Sequence, residues 1–141
     1  ETWQMDAVDQ LRLASGEKFE IKTKKGFQIV VRISVPTFFA KAKDRETVEM
    51  YRDLPILFKK HYNLEGVHIE DVKIEDGVWR IAGESGVILS VTGSGATVEE
   101  SRKQVYSRVQ NIMLLNMFYR TDIGAKWSED SDKLHTWGYL S

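Results

Sequence analysis

The stretch of residues 83–127 constrains the fold more than any other part of the chain. It opens with an apolar run at residues 87–92, whose β-branched side chains are typical of a strand. Residues 93–95, which include two glycines, then predict a turn that leads into a helix. Thr97 and Glu100 have the spacing of a capping box, in which each side chain accepts a hydrogen bond from the other residue's backbone amide. The sequence therefore predicts a strand, a glycine turn and a capped helix in direct succession.

The predicted helix carries apolar residues at helical spacing, which indicates one buried face. These residues are Val98, Val105, Val109, Ile112 and Met113. After them, residues 116–124 alternate apolar side chains with Arg120 and Asp122. This alternation predicts that Phe118 and Ile123 hold the segment in the core, while the two charged side chains share the opposite side.

A short helix is predicted near the start of the chain, over residues 6–14, with Asp6 as its N-cap and Gly16 just beyond its end. The strongest early strand signal lies at residues 27–35. Because only Arg32 interrupts this apolar run, we expect a strand that is covered on both faces.

The pair Asp76 and Gly77 predicts a hairpin, since Asp-Gly readily adopts the positive φ angles of a type I′ turn. Further strands are predicted over residues 54–58, 67–74 and 78–82, and two helical turns over residues 45–52. Strands and two or three helices without regular βα alternation predict an α+β fold. We expect a small, mostly antiparallel β-sheet or half-barrel packed with these helices.

Composition limits the classes of protein that fit. The 141 residues suffice for one domain with its own core. With 20 basic and 21 acidic residues the net charge is −1, which argues against a nucleic-acid or membrane partner. The absence of cysteine excludes disulfides, thiolate metal sites and cysteine nucleophiles. No apolar stretch is long enough to span a bilayer, and we expect a cytoplasmic protein.

The order of strand, glycine turn and helix, followed by the Met-Phe-Tyr-Arg-x-Asp-Ile-Gly run at residues 117–124, resembles the C-terminal domain of phosphoribosylamine–glycine ligase. This family, also called glycinamide ribonucleotide synthetase, consists of ATP-grasp ligases of purine biosynthesis. Weaker matches extend the resemblance over residues 27–126 and include the strand around His68. Two glycine motifs of the family are replaced here, at residues 34–35 and 69–71.

The resemblance implies an activity for the whole enzyme and a place for this domain within it. Such ligases use ATP and Mg²⁺ to form glycyl phosphate, which the amine of phosphoribosylamine attacks. Their C-terminal domain packs on the ATP-grasp core and closes part of the substrate cleft. The run at residues 1–4 is similar to the family segment that follows the metal ligands. We therefore expect the ATP-grasp core to precede this chain and to be its partner.

The resemblance also divides the single domain of residues 1–141 into three parts. Residues 1–26 would be an N-terminal helix and connection from the missing core, and residues 27–127 the ligase-like domain. Residues 128–141 would be a tail that docks a short strand or stays loose. Because the sequence shows neither an ATP-binding loop nor a metal-ligand pair, we expect the chain alone to be inactive. It should have no catalytic residue, cofactor or metal of its own.

Two other functions stay open at this point. The replaced glycines at residues 34–35 and 69–71 favour a binding or interaction module that keeps the fold without the chemistry. The chain could also belong to an ATP-grasp ligase that joins a different amine and acid.

Three residues are candidates for binding a small-molecule substrate. Arg120 is able to grip a phosphate or carboxylate with two hydrogen bonds, and Asp122 is able to orient the guanidinium. The alternative is a structural Arg–Asp pair that fixes the chain after the helix. His68 is the third candidate, although a strand histidine with a structural hydrogen bond is the more common case.

The remaining motifs favour structural roles. The three histidines lack the spacing of a zinc site, and the glycines at residues 93–95 lack the spacing of a phosphate loop. Acidic residues gather around the hairpin, and lysines lie near aromatic residues. These are Glu70, Asp71, Glu75 and Asp76, and Lys22, Lys24, Lys25, Lys41 and Lys43. We expect the acidic group to be solvated and the lysines not to bind RNA.

Overall fold

The computed structural model describes residues 6–18, 24–39, 44–60 and 64–139. Its helices are α1 (Ala7–Ala14), α2 (Arg45–Tyr51), α3 (Val98–Val109) and α4 (Trp127–Thr136), with a 3-10 helix at Pro36–Phe39. Its strands are β1 (Phe27–Ser34), β2 (Pro55–Phe58), β3 (Val67–Ile69), β4 (Val72–Glu75), β5 (Val78–Ile81), β6 (Val87–Gly95) and β7 (Ile112–Met113). Across these ranges, every helix is too short or too polar to cross a membrane.

The strands form two antiparallel sheets, so the predicted α+β class is confirmed. One sheet has three strands in the order β1-β6-β3, and the other has four in the order β4-β5-β2-β7. The long pairing of β1 with β6 runs from Phe27 opposite Gly95 to Ser34 opposite Val87. Four α-helices accompany the sheets in the described ranges, where two or three were expected.

Strand β1 is covered on one face, so the prediction of a strand buried on both faces is wrong. Val31 and Ile33 are 1% and 0% exposed and belong to the core, whereas Val30 is 52% exposed. Arg32 also lies on the exposed side. Helix α3 packs on the buried side of the sheet, and Val30 and Arg32 are exposed on the other side. We call this second side the open face, defined by Val30 and Arg32 of β1, by Ser90 opposite Arg32, and by His68 opposite Ser90.

The predicted glycine turn at residues 93–95 is also wrong, because these residues continue β6. The glycines are needed for close packing. A Cβ atom on Gly93 would lie 2.5 Å from the carbonyl oxygen of Ser101 and 2.7 Å from the nitrogen of Val105. A Cβ atom on Gly95 would lie 2.6 Å from the Cβ atom of Glu100. The missing side chains therefore allow α3 to lie directly on the sheet.

Helix α3 begins as predicted and ends earlier than predicted. The capping box of Thr97 and Glu100 is present, but the helix stops at Val109 and Ile112 enters strand β7. There Ile112 pairs with Phe58 of β2 and is only 2% exposed. Pairing with β2 therefore places Ile112 and Met113 in a strand, although their spacing also fits the apolar face of a longer helix.

Two other local predictions are confirmed. Asp6 caps α1 by accepting a hydrogen bond from the amide of Asp9 at 2.8 Å, and Gly16 follows the helix with φ +89°. At the hairpin between β4 and β5, Asp76 has φ 51° and Gly77 has φ 75°. Positive φ at both residues is the signature of a type I′ turn.

The region predicted to be a short strand or a loose tail contains helix α4 instead. Glu129 and Asp130 lie in its first turn and Lys133 in its last, an arrangement that complements the helix dipole. Trp127 anchors the helix, since its ring lies 5.1 Å from that of Phe27 in an edge-on contact. The sequence pattern of residues 128–141 is polar, and its helical charge arrangement was overlooked.

Candidate functional site

The run at residues 117–124, which carries two of the candidate residues, lies along the free edge of β1, and we call it the edge segment. Phe118 exchanges two backbone hydrogen bonds with Ser34, at 3.0 and 2.8 Å, in an antiparallel bridge. Further along, Gly124 lies beside the other end of β1, because a Cβ atom built on it would be 3.1 Å from Cδ1 of Ile29. The edge segment therefore follows β1 in the antiparallel direction.

Side chains of the edge segment alternate between two environments. Met117, Tyr119 and Ile123 pack against the core, while Arg120 and Asp122 are exposed. The predicted burial of one side is therefore observed, with one correction. Phe118 was expected in the core, but its side chain lies on the same side of the segment as that of Arg120. The centres of the Phe118 and Phe38 rings are 6.3 Å apart. The ring that packs toward α3 belongs to Tyr119, which lies 6.3 Å from Tyr106.

Arg120 and Asp122 form a two-pronged ion pair, which we call the fork. Nε of Arg120 donates to Oδ1 of Asp122 at 2.9 Å, and Nη2 donates to Oδ2 at 2.7 Å. The side chains remain 74% and 59% exposed, so the pair is not a buried structural bridge. Hydrogen bonding and the opposite charge lower the pKa of Asp122 below its usual value and raise the pKa of Arg120. Both groups are therefore charged at neutral pH.

The fork and His68 lie on the same side of the three-stranded sheet. Because Tyr119 turns toward α3, its neighbour Arg120 faces the open face. On that face Arg32 lies opposite Ser90, which in turn lies opposite His68. At its bridge to β1 the edge segment is separated from β3 by three strand spacings of about 4.8 Å, so their backbones lie roughly 14 Å apart. The structure thus joins Arg120 to Asp122 and places His68 apart from them.

His68 is exposed on β3, and its Nε2 atom lies 3.4 Å from Oγ1 of Thr92. The open face between His68 and the fork is polar. Ser90 donates a hydrogen bond to Glu70, and Nε of Arg32 lies 3.9 Å from Oε1 of the same carboxylate. Arg32 was missed as a site residue, although a single charge inside an apolar strand run was the signal that could have identified it.

Side chains of helix α3 hold the edge segment by donating hydrogen bonds to the segment's backbone carbonyl groups. The guanidinium of Arg102 donates to the carbonyl oxygen of Ile123 and, at 3.2 Å, to that of Thr121. The hydroxyl of Tyr106 donates to the carbonyl oxygen of Arg120 at 2.9 Å. The two side chains also stack, with Cζ of Arg102 5.4 Å from the centre of the Tyr106 ring. Sequence reasoning missed both residues because it considered only the apolar face of the helix.

The residues that were considered as a phosphate loop do not fit a nucleotide phosphate. Oε2 of Glu100 accepts hydrogen bonds from the amides of Ala96 at 2.8 Å and Thr97 at 3.3 Å. Oγ1 of Thr97 accepts from the amide of Glu100 at 3.1 Å. These amides are therefore occupied, and a carboxylate already lies where a phosphate would bind. Within the part of the chain that the structure describes, no cluster of His, Asp and Glu has the arrangement of a metal site.

The acidic residues around the hairpin have separate structural contacts. Asp71 accepts two hydrogen bonds from Ser85, from its amide at 3.1 Å and its hydroxyl at 2.9 Å. Glu75 lies 3.6 Å from Nζ of Lys73 and 3.5 Å from Nε of Arg80. Predictions for residues 1–4, Lys22, Lys41 and Lys43 fall outside the described residues.

Known proteins that are similar to this chain agree with the predicted resemblance. The phosphoribosylamine–glycine ligase of Clostridium acetobutylicum is 36% identical over 53 residues, which is 38% of this chain and 12% of that ligase. The crystal structure of the phosphoribosylamine–glycine ligase of Thermotoga maritima superposes with a TM-score of 0.59 at 23% identity. This superposition covers 79% of the present chain and 25% of the Thermotoga protein. No protein-family model matches the chain.

The fold is an α+β domain of the kind found within a larger ligase. That ligase is phosphoribosylamine–glycine ligase, and the resemblance seen in the sequence is confirmed by both comparisons. The chain spans about an eighth of the length of the first relative and a quarter of the second.

Proposed function

We propose that this chain is the C-terminal domain of a phosphoribosylamine–glycine ligase-like enzyme, which joins glycine to phosphoribosylamine with ATP in purine biosynthesis. In this proposal the open face and the edge segment close part of the substrate cleft. The observation that carries the proposal is the exposed fork, which lies inside the run that resembles the ligase. The ATP-grasp core would come from the rest of a longer, cytoplasmic protein.

The chemistry of the fork suits an anionic substrate group. A guanidinium has five N–H donors, and Asp122 uses two of those of Arg120. The remaining donors are exposed and can reach a phosphate or carboxylate oxygen with a charge-assisted hydrogen bond. Asp122 keeps the guanidinium plane fixed while this happens. The role of the pair is therefore to bind and orient, and the phosphate of phosphoribosylamine is the group that it would bind.

The rest of the open face would complete the substrate wall. Arg32 adds a second exposed guanidinium beside the edge segment, and its contact to Glu70 is long, at 3.9 Å. His68, at the far strand, would meet another part of the substrate or the ATP-grasp core. ATP and Mg²⁺ would activate glycine from that core. At the start of α3, the Glu100 carboxylate already accepts hydrogen bonds from the amides that a nucleotide phosphate would need.

A specific observation also favours a second function, a binding module that keeps the fold and has lost the chemistry. Ser34 and Val35 replace a glycine motif of the family, and they are 4% and 0% exposed. Ser34 also holds the edge segment through its backbone. Two buried side chains thus lie where the family has glycines, which would change what this region can bind. The same replacement would equally suit a ligase for a different amine and acid.

Nuclear magnetic resonance distinguishes these functions with the chain as it is. Ribose 5-phosphate carries the phosphate and sugar of the proposed substrate, and ribose is the control without the phosphate. We expect ribose 5-phosphate to shift the amide resonances of the edge segment and of Arg32, whereas ribose should not. Shifts confined to other surfaces, or no shift at millimolar concentration, would contradict the substrate role and leave the binding module as the better account.

A further inference from the structure

The backbone of the edge segment is held by α3, whereas two of its charged side chains are exposed. Beyond the bridge at Phe118, its carbonyl groups at residues 120, 121 and 123 accept hydrogen bonds from side chains of α3. The side chains of Arg120 and Asp122 lie on the other side, in solvent. Helix α3 thus holds the backbone at Arg120 and on both sides of Asp122, and the side chains of these two residues are exposed.

We propose that Arg102 and Tyr106 are positioning residues, which set the geometry of the fork by holding the backbone of the edge segment. This inference rests on the proposed function, because the fork matters only if it contacts a ligand. Both side chains extend from α3 to the backbone of the edge segment, and they position the fork through the residues that they hold.

The anchored backbone preorganises the fork for binding. An exposed Arg–Asp pair on a mobile backbone visits many geometries, and ordering two long side chains on binding costs conformational entropy. Anchoring the backbone at three carbonyl groups removes part of that cost before the ligand arrives. Because Arg102 stacks on the ring of Tyr106 at 5.4 Å, the two anchors also order one another.

Two conservative variants test this inference. Tyr106→Phe removes only the hydroxyl that bonds the carbonyl oxygen of Arg120 and keeps the stacked ring. Arg102→Lys keeps the positive charge near Asp122, but a single ammonium cannot bind two carbonyl oxygens with the geometry of a guanidinium. Ser107→Ala, at an exposed position of the same helix, is the matched control.

The first readout needs no ligand and is the pH titration of the Asp122 carboxyl carbon, measured by nuclear magnetic resonance. We expect both variants to move its midpoint upward toward the ordinary value for aspartate, while Ser107→Ala leaves it in place. Tyr106→Phe leaves the charges of Arg120 and Arg102 unchanged, so a shift in this variant reports the geometry of the fork. Well-folded variants whose Asp122 titrates as in the wild-type chain would overturn the inference. If Arg102→Lys fails to fold, Tyr106→Phe alone decides.

The second readout is the affinity for ribose 5-phosphate, which separates this inference from the proposed function. We expect each variant to weaken binding several-fold while Arg120 is still present. Binding to the wild-type chain that the variants do not weaken would overturn the positioning role and leave the proposed function intact. A shifted Asp122 titration without any wild-type binding would retain the positioning role and contradict the proposed function.

Discussion

The hydroxyl of Tyr106 lies 2.9 Å from the carbonyl oxygen of Arg120 and donates a hydrogen bond to it. This bond joins α3 to the edge segment at a residue whose own side chain is 74% exposed. At Arg120 the backbone is anchored while the side chain is exposed, so mutations can change ligand binding and backbone order separately. Mutations of the Arg120 side chain should weaken ligand binding directly, whereas mutations of Arg102 or Tyr106 should make the backbone of the edge segment less ordered.

The charge of Asp122 gives the fork a defined pH dependence. Arg120 lowers the pKa of Asp122 in the folded chain, so the pair contributes stability above the ordinary aspartate pKa of about 3.9 and loses it as the pH falls through the lower folded value. Asp122→Asn removes this contribution. We expect the urea midpoints of the variant and wild type to differ slightly at pH 6 and to converge below pH 4. A difference that grows as the pH falls would contradict the predicted sign.

The capping box should make a measurable contribution to stability. Thr97→Ala removes the oxygen that accepts from the amide of Glu100 at 3.1 Å, which should lower the free energy of unfolding by about 0.5–2 kcal/mol. Urea denaturation measures the loss. Ser107→Ala is the control, because it makes the same kind of truncation away from the cap. Equal midpoints for Thr97→Ala and wild type would mean that the cap contributes nothing.

The close approach of α3 to the sheet should make Gly93 intolerant of a side chain. An added Cβ atom would lie 2.5 Å from the carbonyl oxygen of Ser101, so Gly93→Ala should destabilise the chain by about 1–3 kcal/mol through overpacking. Ser94→Ala, at the exposed neighbouring position of β6, should have little effect. Thermal unfolding of both variants checks the difference. A stable Gly93→Ala chain would show that the helix does not lie as close as described.

The isolated chain should not bind ATP tightly. Thr97 and Glu100 occupy the amides at the start of α3, which is the helix start that was considered as a phosphate loop. Calorimetric titration with ATP and Mg²⁺ should therefore give no micromolar affinity. A micromolar dissociation constant would place a nucleotide site within this chain and would contradict the assignment of that site to a separate core.

Features that depend on residues close in sequence could be predicted. The caps at Asp6 and Thr97 and the hairpin at Asp76 and Gly77 are fixed by side chains and φ preferences within four residues. At these positions the local chemistry leaves few alternative conformations, and the fold does not override it.

Features that depend on distant packing could not be predicted. A glycine can form a turn or allow a helix to pack closely on a sheet. Only the position of α3 shows that Gly93 allows close packing. Ile112 suits the helical spacing, but pairing with Phe58 of β2 places it in a strand. At the site, Arg120 and Asp122 could be identified from a local motif, whereas the contacts of Arg102 and Tyr106 join parts of the chain 14 to 21 residues apart.

The most direct test of the account compares the dissociation constant of ribose 5-phosphate for the wild-type chain and for Arg120→Met. Methionine keeps an unbranched side chain without the charge, and Arg12→Met, on α1, is the control for the loss of one positive charge. Because exposed ion pairs contribute little to stability, the melting temperature of Arg120→Met should stay close to that of wild type. Loss of one charge-assisted contact should weaken binding about tenfold or more. Equal affinities of the two chains, or unfolding of Arg120→Met, would contradict the account and make Arg120 part of the scaffold.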